Sequence, residues 1–305
     1  MSQGVTRLGE GRGPAAAHLA AEAIGSAAAG QAAGENFPVA LRVLPARYRG
    51  HLEAVYGFAR AVDDVGDEAP PGDRLRLLDE LEADLGRLYR VAGAGPAGAQ
   101  PPRIGVVRAL APVVTECAVP QQAFADLIQA NRQDQVVTRY ATAADLLGYC
   151  ELSANPVGRI VLHVFGAFTP ERAILSDRVC TALQLAEHWQ DVAEDLRAGR
   201  VYLPAEDMAR FGCTEGDLAA ATAAPRVRAL MAFEVQRARR LLDEGAPLVG
   251  NLHGAARVAV AGYVAGGRAA LAAISGAGHD VLRTTPRPRR GRLVREVLRA
   301  YAVGR

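Results

Sequence analysis

From about Tyr48 to Ile274 apolar residues recur at intervals of three and four, and stretches alternating with period two are nearly absent. A strand turns successive side chains to opposite faces, whereas a helix gathers i, i+3 and i+4 on one side. The pattern therefore predicts an all-α chain. Helices are expected over about residues 48–65, 74–91, 103–116, 120–134, 142–168, 171–197, 205–211, 225–249 and 253–275. AGAGPAGAQPP, over 92–102, reads as a linker, because its prolines forbid regular structure. Residues 1–34, rich in Ala and Gly without periodicity, read as a mobile lead-in to one helical domain over 35–282. Residues 283–305 form an arginine-rich tail, in which Pro286 and Pro288 interrupt any amphipathic helix.

Half of the 305 residues are apolar, enough for a large core. The 35 basic residues, all arginine, nearly cancel the 33 acidic ones to leave +2, which argues against a dedicated nucleic-acid binder. Cys117, Cys150, Cys180 and Cys213 are scattered without a CxxC pair, so neither a zinc site nor a disulfide framework is expected, and a reducing cytoplasm is. The amino terminus lacks the charged and apolar blocks of a signal peptide. Ala255 to Ile274, the most apolar stretch, is broken by Arg257, Arg268 and glycines and reads as a buried helix.

Two aspartate pairs carry the chemistry: Asp63/Asp67 in RAVDDVGDE and Asp191/Asp195 in HWQDVAEDLRAGRVYLP. An i,i+4 spacing sets two carboxylates on one helix face, roughly 5–6 Å apart at Cβ. Two such pairs facing each other repel unless a cation lies between them. Mg²⁺ suits that place, since it takes one or two carboxylates together with substrate phosphates. The pattern points to a helical enzyme that grips a diphosphate, although a lone DxxxD also fits a solvated face. With Asp63 at zero on a helical wheel, Tyr56 falls at about 20°, Asp67 at about 40° and Arg60 at about 60°, bordering the apolar arc of Val55, Phe58 and Val62. An Arg60–Asp67 structural network is the plainer alternative. Around Asp191, the residues Gln184, Glu187, His188 and Asp195 share a polar face opposite Leu185, Trp189, Val192 and Leu196. A loop with Arg197, Arg200 and Tyr202 follows, and arginine suits phosphate through its paired donors. Arg200 and Tyr202 are therefore candidate diphosphate-binding residues, while His188 reads as structural.

Between the pairs, Thr142 is placed to cap a helix that SANPVG interrupts at Asn155-Pro156. Ile160, Val161, Leu162, Val164, Phe165 and Phe168 could line a long apolar pocket, though such runs more often form core.

YGFARAVDDVGDE, YCELSANPVG and LQLAEHWQDVAEDLRAGRVYLP, in this order, resemble the squalene/phytoene synthase family of head-to-head prenyl synthases over about residues 34–285. ENFPVALRVLP, SANPVG and HWQDV look most like its hydroxysqualene synthase branch, from bacterial hopanoid synthesis. The resemblance implies an all-α isoprenoid-synthase fold, a helical bundle whose two acidic motifs face each other across a central cavity. It implies that Asp63 and Asp67 bind Mg²⁺ as the first pair and Asp191 and Asp195 as the second. Tyr56, Arg60 and Gln184 fall where members of the family contact the prenyl diphosphate, and Asn36 falls in the N-terminal substrate segment. Glu187 stands where the family usually has an Asn metal ligand, and its longer, charged arm would alter the site. Gln190 stands where condensing members commonly carry Arg, which favours a branch starting from one preformed C30 diphosphate. The implied reaction takes presqualene diphosphate and water to hydroxysqualene and diphosphate, with Mg²⁺ and without NADPH; the lack of a GxGxxG fingerprint agrees. Condensing squalene, dehydrosqualene or phytoene synthases, and a non-catalytic relative of the same fold, are the alternatives. A C30 lipid substrate further implies peripheral contact with the inner face of the membrane, to which the basic tail would be attracted.

Overall fold

The computed structural model describes residues 44–93 and 100–288. Residues 1–34, Asn36, the centre of the 92–102 linker and residues 289–305 of the basic tail lie outside the described residues. Among those described the chain is all-α, with a single parallel bridge between Arg139 and Val201 as its β pairing. The long helices are α1 (Ala46–Asp67), α2 (Arg74–Ala92), α5 (Gln121–Asp134), α8 (Pro170–Gln190), α12 (Pro225–Gly245) and α13 (Gly254–Gly276).

Four expected helices are broken, three of them beside a proline. The run over 103–116 divides into α3 (Gly105–Ala109) and α4 (Ala111–Cys117), with Pro112 in the first turn of the second. Likewise 142–168 divides into α6 (Ala143–Ser153) and α7 (Asn155–Val164) at Ala154. Pro156 sits in the opening turn of α7, where its missing N–H breaks no ladder bond. As expected, Thr142 caps α6: its hydroxyl accepts from Asp145 N (3.1 Å) and the Asp145 carboxylate accepts from Thr142 N (2.9 Å). The run over 171–197 breaks at Asp191 (φ −106°, ψ 15°) into α8 and α9 (Val192–Arg197), and α12 passes at Gly245 into a 3₁₀ turn over Ala246–Asn251 that contains Pro247. Two short helices, α10 (Ala205–Arg210) and α11 (Glu215–Leu218), complete the order.

The interior holds two apolar cores. In one, Leu52, Phe58 and Val62 of α1 meet Leu78 and Leu85 of α2, Phe124 and Ile128 of α5, and Ile160 and Val161 of α7. Phe58 and Phe124 join edge to face, centroids 5.3 Å apart. In the other, Leu185 and Trp189 of α8 pack on Leu230 and Met231 of α12 and Val264 and Leu271 of α13. Ile160, Val161, Leu162 and Val164 are thus core, whereas Phe168 is exposed. α13 is long and apolar enough to cross a membrane, but it is largely buried against α8 and α12. Both acidic motifs lie at ends of helices from opposite cores: Asp63 and Asp67 close α1, and Asp191 follows α8.

Candidate active site

Asp63 is open to solvent yet enclosed by protein, as a carboxylate on the wall of a concavity would be. That enclosure pushes its pKa up to about 6; the hydrogen bond from Asn131 pulls it down, and the charge of Asp67 raises it. Asn131 of α5 donates Nδ2 to Asp63 Oδ1 at 3.0 Å. Gly66 makes that approach possible, because a Cβ there would stand 2.1 Å from Asn131 Oδ1. Gln135 donates to the Gly66 carbonyl (3.1 Å) and Arg74 to the Asp67 carbonyl (2.7 Å), so the end of α1 is tied to both neighbouring helices.

The expected alternative, an Arg60–Asp67 network, is replaced by two separate pairs. Arg60 meets the buried Asp64 one turn on (2.7 Å) and reaches Glu68 (3.6 Å). Asp67 instead pairs with Arg200, from beyond the second acidic motif, at 2.7 Å. The chain makes this crossing through a specific turn. Gly199 takes φ +82°, Arg200 N donates back to Asp195 O (2.8 Å), and Val201 N and Ala205 N bond the carbonyls of Thr138 and Tyr140 (both 2.9 Å). Arg200 thereby links the two motifs that sequence could place only on separate helices.

In the second motif, Asp191 heads α9, with its carbonyl accepting from the backbone N–H groups of Glu194 and Asp195 at 2.8 Å each. Asp191 and Asp195 therefore keep helical register across the break. Burial pushes Asp195 up to about 7; the charge of Asp191 adds to the rise and Arg200 opposes it. Asp191 is raised as well, by burial and then Glu194, against the pull of Arg287. Glu187 is exposed one turn earlier. His188 is buried, stacked on Tyr202 (3.7 Å, 14°), and driven down to about 3 by burial and by Arg200, so it is a neutral structural imidazole. Gln184 Nε2 lies 3.2 Å from His188 Nε2, which orients Gln184 toward that ring. Gln190 has a partner that sequence could not supply: its amide donates to the carbonyl of the buried Pro286. The segment leading into the tail, with Val281 and Leu282 buried, and Pro286 within the tail are thus folded against the second motif.

Three further residues join the site without having been singled out in sequence. Asp134, at the end of α5, accepts a hydrogen bond from Tyr149 Oη to Oδ2 (2.7 Å). Burial pushes Asp134 up to about 6, with Tyr149 and Arg200 pulling it back. Tyr140 stacks on Tyr202 (5.9 Å, 21°) and lies 5.6 Å from the Tyr149 ring. The helical spacing Asn131/Asp134 and the presence of Tyr149 in YCELSANPVG were the available signals. Tyr56 stands half-buried on α1, on the side of the helix carrying Asp63.

The donors are hard carboxylate oxygens, raised in pKa by their own crowding, a set that suits Mg²⁺ better than zinc. Among the described residues no three acidic, His or Cys side chains converge as a closed protein cage.

The chain matches the model of the squalene/phytoene synthase family over residues 31–293. It is 35% identical over 221 residues to the hydroxysqualene synthase of Rhodopseudomonas palustris, covering 72% of this chain and 71% of that protein. It is 32% identical over 203 residues to the presqualene diphosphate synthase of the same organism, covering 65% and 69%. The crystal structure of squalene synthase HpnC from Alicyclobacillus acidocaldarius superposes with a TM-score of 0.74 at 40% identity, covering 87% of this chain and 95% of that one. With its all-α isoprenoid-synthase fold and its paired acidic motifs, the chain belongs to the squalene/phytoene synthase family.

Proposed function

We propose that this protein is a hydroxysqualene synthase, converting presqualene diphosphate and water to hydroxysqualene and diphosphate. The observation that carries the reading is the Asp67–Arg200 pair, which joins the two acidic motifs into one charged site in a chain similar to hydroxysqualene synthases. Asp63 and Asp67 on one side, and Asp191 and Asp195 on the other, would hold Mg²⁺, with Glu187 reaching the second group from one turn away. The ion would supply positive charge to the departing diphosphate. Arg200, displaced from Asp67 by the substrate, would donate to the same phosphate oxygens, while Tyr56 and Arg60 flank the first pair. As the carbon–oxygen bond to diphosphate breaks, its electron pair leaves with the phosphate and a cyclopropylcarbinyl cation forms. After rearrangement, water forms the new carbon–oxygen bond and loses a proton. No hydride is consumed, so NADPH has no role.

A condensing activity is the second reading, favoured by the similarity to a presqualene diphosphate synthase. Gln190 speaks against it, since a neutral side chain engaged with Pro286 offers no cation to a second diphosphate. The lipid substrate would be exchanged at the cytoplasmic face of a bilayer, attracted by the basic residues that follow Arg283. Incubation of the purified protein with Mg²⁺ and either presqualene diphosphate or farnesyl diphosphate alone, with and without NADPH, tests the proposal. A C30 alcohol from presqualene diphosphate, independent of NADPH, is expected; a C30 product from farnesyl diphosphate alone would establish condensation instead.

A further inference from the structure

Two buried polar atoms beside the site have no hydrogen-bond partner: Asp134 Oδ1 and Tyr140 Oη. Native interiors satisfy such atoms almost without exception, commonly with an ordered water. These two belong to one neighbourhood. Asp134 is close enough for its charge to act on the Tyr140 hydroxyl, and both residues pack against Tyr149 and Tyr202. Tyr149, by donating to Oδ2, fixes the carboxylate so that Oδ1 is left for another donor. Tyr202 also acts on the carboxylate and Gln133 on the Tyr140 hydroxyl, but neither meets hydrogen-bond geometry at Oδ1 or Oη.

A water molecule there would donate to Oδ1 and accept from Tyr140 Oη, which meets the requirement for at least two polar partners. Two of its neighbours also reach the acidic motifs. Arg200 and Tyr202, neighbours of Asp134, line a concavity with His188 and Asp195, and Arg200 reaches Asp67. The Tyr149 and Tyr202 rings beside it present π faces, which attract a cation without reacting with it.

We propose that Asp134, oriented by Tyr149, and Tyr140 hold the water that captures the carbocation. This rests on the hydroxysqualene synthase reading. As diphosphate leaves with the electron pair of its carbon–oxygen bond, the water oxygen gives a lone pair to the cationic carbon and one proton passes to Asp134 Oδ1. The product is the alcohol, and no oxidant or reductant takes part. Without a held water the same cation loses a proton and ends as a hydrocarbon.

The test is the partition between the two products, whatever the overall rate. Wild type, Asp134→Asn and Tyr140→Phe are each incubated with presqualene diphosphate and Mg²⁺, and the C30 alcohol and hydrocarbon are quantified by mass. Tyr140→Phe removes only a hydroxyl and keeps the aromatic packing, so it guards against a folding defect in the other variant. The alcohol-to-hydrocarbon ratio should fall roughly tenfold or more in both, the scale of losing a positioned proton acceptor. A wild-type ratio in both variants, or folded variants that consume no substrate, would overturn the water site. A wild type that makes no alcohol contradicts the functional reading itself, and the water site falls with it.

Discussion

Asp195 shows most clearly what this site costs the fold. Its pKa rises from 3.8 to about 7, because burial and Asp191 both disfavour the charge. Between those values the folded state binds the extra proton, so the penalty grows as pH rises and is complete above about 7. Asp195→Asn should therefore stabilise the metal-free protein by about 1–2 kcal/mol at pH 8, discounted for partial exposure, with the gain vanishing near pH 4. Thermal melts across that range check the sign; a variant less stable than wild type at pH 8 would show that Asp195 is instead a favourable structural charge. Activity should fall in the same variant. At this scale sequence showed the four aspartates because i,i+4 spacing is local. It concealed Asn131, Asp134 and Tyr140, whose meaning depends on packing: Asn131 matters because Gly66 lets it reach Asp63.

Among the elements, the breaks matter as much as the helices. A continuous helix over 171–197 would leave no turn at Asp191. The observed break ends α8 at Gln190, whose amide holds the carbonyl of Pro286. The segment over 280–288 is fixed a second time by Asp280, which accepts from Ala223 N (3.0 Å) and Arg228 Nη2 (2.8 Å). Gln190→Ala should loosen only the second half of this segment. One lost hydrogen bond of about 1 kcal/mol predicts about fivefold faster amide exchange at Thr284, Thr285 and Arg287, with protection retained at 281–283, where Arg283 N donates to Asp280. Unchanged exchange would mean that Pro286 is held by packing alone. Replacing Gln190 by the Arg that condensing members commonly carry would disturb this contact too. The periodicity that revealed the helices could not show these breaks fully, since it averages over turns, although Pro112, Pro156 and Pro247 mark three of them.

For the whole molecule, helical patterning made the all-α class legible, and the order of long motifs made the fold family legible. What patterning could not give is the apposition of the motifs, which arises where two separate cores meet and the loop after α9 crosses from one to the other. Within the arginine-rich tail, Pro286 is buried and its carbonyl accepts from Gln190 of the second motif. The central claim is that both acidic motifs act together on one metal-bound diphosphate. Diphosphate release from presqualene diphosphate at limiting Mg²⁺, compared among wild type, Asp63→Asn and Asp191→Asn, tests it most directly. Either substitution should lower turnover by roughly a hundredfold or more with helical content unchanged; near-wild-type turnover in either folded variant would contradict it.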